Sequence, residues 1–456
     1  MTKTKVKVVT IRSSAIMDDH TVWISEKLLR KWGIPSNQYI NLRFGAFRSR
    51  VKAVPTKLVR RVRINKTLAQ AMELAGGETL RAAFRPSSQT LSVGPLIGVL
   101  MPRASTQRPD PFGDMTAFCK ELTEAAKQQG ASVFFFTPSG IQENNYDKIQ
   151  GWSYNGSWRQ GEFPMPDVIH NRLTSRKLEN LPEVQKLFRE AKARHGTHVF
   201  NEKYVDKTEV FAALKQRSHL HRYLPESHAF TGFALLKTMA AKYRTVFIKP
   251  IKGSLGRGIM RLSRSATGGY VCHYSGQKET RRAEYSSLAK AYAAMSQRMK
   301  TQKYQIQQGI NIASVNGRPV DFRALVQKGV SGEWGVTSIV GRIAGANHFV
   351  SNLAKGGTIA AAKDAIAQSN IPASRRGASL AALRKAAVEI AEGIDATIDA
   401  HFGELGVDLA LDQSGRVWLL EVNSKPSKND NTQLTEGKIR PSVKTLVKYA
   451  RYLAKL

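Results

Sequence analysis

Two stretches near the start of the chain align without a gap at an offset of 40 residues. One begins at Ile24 (ISEKLLRKWGIPSNQYINLRFGAFRSRVKAV) and the other at Ile64 (INKTLAQAMELAGGETLRAAFRPSSQTLSVG). Ile24 matches Ile64, Leu28 matches Leu68, Ile34 matches Leu74, Ile40 matches Leu80, and Phe44 matches Phe84. Ser25 and Asn65 stand where a helix N-cap belongs, each ahead of one or two helical turns. Alternating residues after each helix read as strands. A strand–helix–strand–strand unit used twice leaves sheet edges in each copy that the other can pair. Residues 1–95 are therefore expected to close into a small pseudo-symmetric β-barrel that serves in binding or docking.

GPLIGVLMPR then reads as a buried strand opening an α/β unit. A Pro- and Gly-rich loop over 103–114, a helix from Met115 to about Gln129, a turn at Gly130 and the strand SVFFFTP continue it. Val168–Ile169 form another strand, leading into Asn171, Arg172 and Arg176. From about Phe200 the chain reads as one larger α+β region, with a helix at roughly Ala378–Phe402 and an amphipathic basic helix over Ser442–Leu456. The expected class is a multidomain α/β and α+β protein.

At 456 residues the chain can hold two to four cores, and 42% hydrophobic content is that of an ordinary folded protein. Apolar runs are short: SVFFF stops at Thr137, far below the roughly 20 residues of a membrane helix. The first residues, MTKTKVKVVTIRSS, lack the sustained apolar core of a secretory signal. Cys119 and Cys272 are too few for a disulfide framework or a zinc site, so a reduced cytoplasmic compartment is expected. Charge is the unusual property. Seventy Lys and Arg against 35 Asp and Glu give +35, and residues 1–95 alone hold 18 against 5. Such a balance favours contact with a polyanion without naming it.

Two motifs carry chemistry. In TVFIKPIKGSLGRGIMRL a strand, Thr245–Ile248, ends in Lys249-Pro250. A loop with Gly253, Ser254, Gly256, Arg257 and Gly258 precedes a second strand, Ile259–Leu262. Glycines let backbone amides approach phosphate oxygens, and Lys249 is placed to neutralise one, though the spacing is not that of a P-loop. In GVDLALDQSGRVWLLEVNSKP, strand Val407–Leu411 turns through Asp412–Gly415 and returns as Arg416–Val422. With Leu411 facing Arg416, Asp408 faces Leu419, and Asp408, Leu419, Glu421 and Asn423 share one face. Two carboxylates and an amide oxygen there repel unless a hard cation joins them, and Mg²⁺ takes one or two carboxylates plus phosphates and water. Trp152, Trp158 and His170 read as packing residues.

Lys207 in NEKYVDKTEV, Lys249 in FIKP, the loop KGSLGRG, VDFRALV and LLEVNSKP follow the order seen in ATP-grasp enzymes. The chain resembles the YheC/YheD-type, endospore coat-associated members of that superfamily. The resemblance implies a pre-ATP-grasp α/β domain over 96–205. It also implies an ATP-grasp domain over 206–456, with a nucleotide lid at about 206–305 and a catalytic subdomain at about 306–456. Lys207 and Lys249 then reach the nucleotide phosphates, and Gln307, Gln308, Gly309 and Ile310 run along adenine. Arg323 lies near the phosphates, while Asp408, Glu421 and Asn423 hold Mg²⁺ or Mn²⁺. Arg342, Ser351, Asn352 and Lys355, the last three in the loop FVSNLAKGG, are candidates for holding an acyl phosphate, and Arg172 and Arg176 for clamping a carboxylate substrate if that segment is helical. The implied activity is an ATP-dependent ligase joining a carboxylate to an amine and releasing ADP and phosphate. The substrates are not identified, an acidic peptide or polymer among the candidates, and location is cytoplasmic or with the spore. Two alternatives stay open: a kinase on the same nucleotide site, and a non-catalytic basic spore protein that binds polyanions.

Overall fold

The repeat becomes a closed barrel. The computed structural model describes residues 4–11, 20–58, 61–74, 77–107, 109–251, 258–276, 280–300, 302–345, 356–428 and 438–456. After strand β1 (Thr4–Ile11), the first copy supplies β2 (Thr21–Ser25), α1 (Glu26–Trp32), β3 (Tyr39–Phe44) and β4 (Phe47–Thr56). The second supplies β5 (Arg61–Asn65), α2 (Lys66–Ala71), β6 (Thr79–Arg85) and β7 (Thr90–Gly94). The strand order is β1-β5-β2-β4-β3-β7-β6, with β6 pairing back onto β1. Six strands thus come from the repeat. The seventh, β1, lies outside it and joins β5 to β6. Both caps form, with Ser25 Oγ accepting from Leu28 N at 3.3 Å and Asn65 Oδ1 from Leu68 N at 2.8 Å.

A second sheet follows, of β8 (Leu96–Leu100), β9 (Ser132–Phe136), β10 (Lys148–Tyr154), β11 (Trp158–Pro164), β12 (Val168–Asn171) and β13 (His198–Phe200). Its order is β11-β10-β9-β8-β12-β13, with β9, β8, β12 and β13 parallel. Helices α3 (Thr116–Gln129), α4 (Arg176–Glu179) and α5 (Pro182–His195) belong to this unit. Gly130 ends α3 in the left-handed conformation at φ 75°, which is the turn expected there. The tryptophans pack as read: Trp158 meets Phe112 edge-on at 5.3 Å.

The third sheet is antiparallel. After α6 (Lys207–Lys215) come β14 (Ser227–Ala229), α7 (Phe233–Lys242), β15 (Thr245–Pro250) and β16 (Met260–Arg264). Then come β17 (Tyr270–Ser275), β18 (Thr280–Tyr285), α8 (Leu288–Ser296) and β19 (Tyr304–Gln308), in the order β14-β19-β15-β16-β17-β18. The chain crosses from β19 to the fourth sheet. There β20 (Ser314–Val315) pairs with β21 (Arg318–Lys328), followed by β22 (Trp334–Ile343) and β23 (Thr358–Ala361). Helices α9 (Ala362–Gln368) and α10 (Ala373–Asp395), strands β24 (Glu404–Leu411) and β25 (Val417–Asn423), and α11 (Pro441–Leu453) complete the chain. The order is β23-β22-β21-β24-β25.

One face of the fourth sheet is apolar. Phe322, Val407, Leu409 and Leu419 bury against Leu383, Ile390 and Ile394 of α10. The other face holds the polar residues of the site. Helix α10 starts five residues before the expected Ala378 and stops at Asp395, whose carboxylate takes Lys328 at 2.7 Å. Helix α11 buries Val443 and Val447 with Phe118 and Leu122 of α3, tying the C-terminal segment to the second sheet. No described helix is long and apolar enough to cross a membrane.

Candidate active site

The register of the closing hairpin decides which side chains meet. Leu411 pairs with Val417 and Leu409 with Leu419, then a β-bulge intervenes and Asp408 pairs with Glu421. The expected register, Leu411 opposite Arg416 and Asp408 opposite Leu419 with both on the polar face, is corrected twice: the turn already moves the pairing by one residue, to Leu411 with Val417, and the bulge adds a second. The extra residue, Leu420, switches strand parity, so Leu419 points into the core while Glu421 and Asn423 turn to the polar face. Asp408 and Glu421 are therefore direct neighbours rather than diagonal ones.

Arg323 on β21 faces Asp408 on β24, and Asp321 on β21 faces Arg342 on β22. All four project from the same side, since Asp321 and Arg323 are two residues apart. Arg323 forks onto Asp408 through Nε and Nη2, the latter at 2.8 Å. Arg342 forks onto Asp321 at 2.5 and 2.9 Å and reaches Asp408 Oδ2 at 3.1 Å. Burial would raise the Asp408 carboxyl, but the two guanidiniums outweigh it and hold it below the usual carboxylate range. The same carboxylates raise Arg342 against the opposing effect of burial.

Two lysines enter from other elements. Lys207 is the first residue of α6, whose N-cap Asp206 accepts from Glu209 N at 2.8 Å. Its ammonium lies 3.4 Å from Glu421 Oε1. Lys249, near the end of β15, donates to Gln307 Oε1 at 2.5 Å. Burial, and then the charge of Lys207, depress its pKa to about 8, with Glu421 pulling the other way. Lys207, Lys249 and Glu421 thus feel one another's charge although they come from three separate elements.

The strand that crosses between the sheets is placed beside Lys249. Gln307 is buried and donates to Ser227 Oγ at 2.9 Å, while Gln308 Oε1 accepts from Glu226 N at 3.2 Å. Gly309 is held for packing, because a Cβ there would stand 2.5 Å from the Thr245 carbonyl oxygen. Ile310 follows in the crossing segment. Gly258 has φ +70°, a conformation that favours glycine. Gly253, Ser254, Gly256, Arg257, Ser351, Asn352 and Lys355 lie outside the described residues.

Arg172 and Arg176 do not form the expected clamp. The segment between them is not helical; α4 begins only at Arg176. Arg172 is buried and links the end of β12 to β24, 3.3 Å from Glu404 Oε1 and donating to Pro426 O at 2.9 Å. Arg176 donates to Val205 O at 2.9 Å. What the sequence reading missed is their surroundings. Fully buried Glu404 gathers Arg172, Lys428, Gln327 and His170; burial would raise its pKa, but the charge of Lys428, the His170 contact and Arg172 hold it down. Lys425, two residues past Asn423, pairs with Glu179 of α4 and lies over the Tyr204 ring at 4.6 Å. Burial lowers its pKa to about 8. No local pattern announces such partners, which lie 232 and 246 residues apart in the chain. His170 is a packed histidine, stacked on Phe200 at 4.5 Å, with burial lowering its pKa to about 4.

Residues 196–453 match the YheC/D-like ATP-grasp family. The chain belongs to that family. The match includes Lys207, Lys249, Arg323, Arg342, Asp408, Glu421 and Asn423, and it begins after the barrel. The chain is 29% identical over 352 residues to the endospore coat-associated protein YheD of Bacillus subtilis (strain 168), covering 76% of each. It is 24% identical over 320 residues to the endospore coat-associated protein YheC of the same organism, covering 68% of this chain and 85% of that one. Among solved structures it is similar to the ATP-grasp ligase PsnB complexed with minimal precursor, at 15% identity and a TM-score of 0.41, covering 78% of this chain and 99% of that one. It is also similar to the VanG D-Ala:D-Ser ligase from Enterococcus faecalis, at 15% identity and a TM-score of 0.44, covering 80% and 99%.

ATP-grasp membership raises the question of a metal. Among the described residues no three His, Cys, Asp or Glu side chains form a ready cage. The oxygen donors nonetheless suit Mg²⁺, which takes few protein ligands and completes its shell with phosphates and water. Asn423 makes no side-chain hydrogen bond among the described residues, and Glu421 is partly open at 32%. Asp408 stands beside them with its charge already met by arginine.

Proposed function

We propose that the chain is an ATP- and Mg²⁺-dependent ligase that activates a carboxylate as an acyl phosphate and joins it to an amine, releasing ADP and phosphate. The observation that carries the reading is the convergence of Lys207 and Lys249, from separate elements, on Glu421 at the end of β25. Phosphoryl transfer needs positioned positive charge rather than an acid–base dyad, and these two ammoniums supply it for the phosphates. Gln307 holds Lys249 in place, and the 307–310 segment is assigned to adenine. Glu421 and Asn423, with Asp408 behind them, are the metal ligands of this reading; the bound ion would neutralise charge on the transferring phosphate. Arg342 and Arg323 keep Asp408 ionised and hold Asp408 and Asp321 in place, and they are the cations available to an acyl phosphate once anions compete for them. Gly253, Ser254, Gly256, Arg257 and Gly258 are assigned to the phosphates, and Ser351, Asn352 and Lys355 to the acyl group.

In this scheme a substrate carboxylate oxygen attacks the γ-phosphorus and ADP departs with the electron pair of the broken bond. The amine then attacks the acyl carbon, phosphate leaves, and the amine proton is released. The working division is a barrel at 1–95, an α/β domain at 96–205 and an ATP-grasp domain at 206–456. An acidic peptide or polymer is the proposed carboxylate partner, and spore association follows the names of the relatives.

The test is thermal shift with ADP, ATP and Mg²⁺, followed by product mass spectrometry on acid–amine pairs. Nucleotide with Mg²⁺ at a hundredfold excess over Kd is expected to stabilise the protein by about 2.7 kcal/mol. Glu421→Ala should lose the Mg²⁺-dependent part, and Lys249→Ala the nucleotide shift altogether. Wild-type shifts in both variants would remove the site. A phosphorylated product in place of an amide would replace ligase by kinase.

A further inference from the structure

The barrel's outer wall is absorbed by none of this. Its seven strands contain ten Lys and Arg and no Asp or Glu. Some of those cations are engaged where the barrel meets the second domain: Arg43 with Asp167 at 2.5 Å, Lys5 with Gln128 O at 2.6 Å, and Arg81 with Gln129 O at 3.4 Å. Lys7, Arg50, Lys52, Arg61 and Arg63, on the β1-β5-β2-β4 side, have no carboxylate partner among the described residues.

These five form a band. Lys7 sits opposite Arg61 across β1 and β5. Arg63 sits opposite Trp23 across β5 and β2, Lys52 opposite Thr21 and Tyr39, and Arg50 opposite Asn41. Adjacent strands are about 4.8 Å apart, so only the uncharged strand β2 separates the cations of β5 from those of β4, and no strand of the wall brings in a negative charge. Like charges placed directly opposite destabilise a sheet unless something outside neutralises them. Aromatic rings interleave with the charges. Tyr39 is 51% exposed, with the Arg50 guanidinium 5.2 Å from its ring, and Trp23 is partly exposed next to Arg63.

We propose that this wall, over β1, β5, β2, β4 and β3, binds single-stranded nucleic acid. Backbone phosphates take the five cations, and unpaired bases stack on Tyr39 and Trp23. Cations alone would serve an acidic polypeptide equally; the interleaved rings are what favour bases, since every base has a face to stack. The proposal does not depend on the ligase reading, because none of these residues belongs to the nucleotide site.

The test is fluorescence anisotropy of a short labelled oligothymidylate with the full chain. With five phosphate contacts, affinity should fall about 100-fold between 50 and 200 mM salt, and only about sevenfold for the Arg50→Gln/Arg61→Gln/Arg63→Gln variant. Tyr39→Ala, at an exposed position, should weaken binding about fivefold or more without changing the salt slope. Both variants should keep the wild-type midpoint of urea unfolding, which reports that they fold. Absence of binding at the lower salt, or a salt slope unchanged in the triple variant, would overturn the proposal. Equal competition by polyglutamate together with a neutral Tyr39→Ala would overturn it in favour of an acidic polypeptide.

Discussion

Lys249 makes nucleotide affinity depend on pH in a way that can be worked out beforehand. Its ordinary pKa of 10.5 is lowered to about 8, first by burial and then by Lys207. That gap corresponds to about 3 kcal/mol against the charged form in the free protein. A polyphosphate placed against the ammonium reverses the preference, so the binding-competent protein is the protonated fraction. With a pKa of about 8, that fraction is about nine-tenths at pH 7 and one-tenth at pH 9, so the apparent Kd should rise about tenfold between them. Binding at pH 8 should take up about half a proton, visible by calorimetry as a dependence on buffer ionisation heat. The stability of the free protein moves the other way. Between about pH 8 and 10.5 the unfolded chain holds this proton and the folded chain does not, so this group's contribution to stability rises with pH. Lys249→Arg, whose guanidinium stays charged, should flatten the affinity profile across the window. An unchanged Kd from pH 7 to 9 in the wild-type protein, or the same slope in Lys249→Arg, would refute the assignment.

Glu404→Ala should destabilise by about 3–5 kcal/mol in urea titration, because it strands Lys428 and Arg172 in the interior; a loss under about 1 kcal/mol would show the network to be slack. Ser25→Ala and Asn65→Ala should each cost about 1 kcal/mol, as equivalent caps in the two repeats, measured by thermal or chemical unfolding. Gly309→Ala drives a Cβ to within 2.5 Å of the Thr245 carbonyl, so the crossing strand must shift. A loss of about 1–3 kcal/mol in stability is expected, with weakened nucleotide thermal shift as the second readout.

The features legible from sequence were those whose signal is local. The matched positions Ile24/Ile64 and Leu28/Leu68 announced the repeated unit because side-chain periodicity and capping act within a few residues. The order of Lys207, Lys249, VDFRALV and LLEVNSKP pointed to the family because each motif occupies one short segment. The shared face of Asp408, Glu421 and Asn423 was legible, but the direct pairing of Asp408 with Glu421 and the inward side of Leu419 were not derivable that way. They depend on the turn register and on the bulge at Leu420, and one extra residue reverses every side chain that follows.

The amino-acid sequence by itself determined the barrel units, the strand ending at Lys249, the closing hairpin and the sign of the protein's charge. Only the tertiary structure decided the company each charge keeps. Arg323 meets a carboxylate 85 residues away, and Arg172 one 232 residues away. Arg172 consequently became an internal strut rather than a substrate clamp, while Lys249 gained a depressed pKa from burial and then from a lysine on another element. Strand order and domain docking set those distances, and they arise from burying apolar faces far from the charges themselves. A charge's partner therefore follows from which hydrophobic surfaces pack together, and that is a property of the whole chain rather than of any window within it.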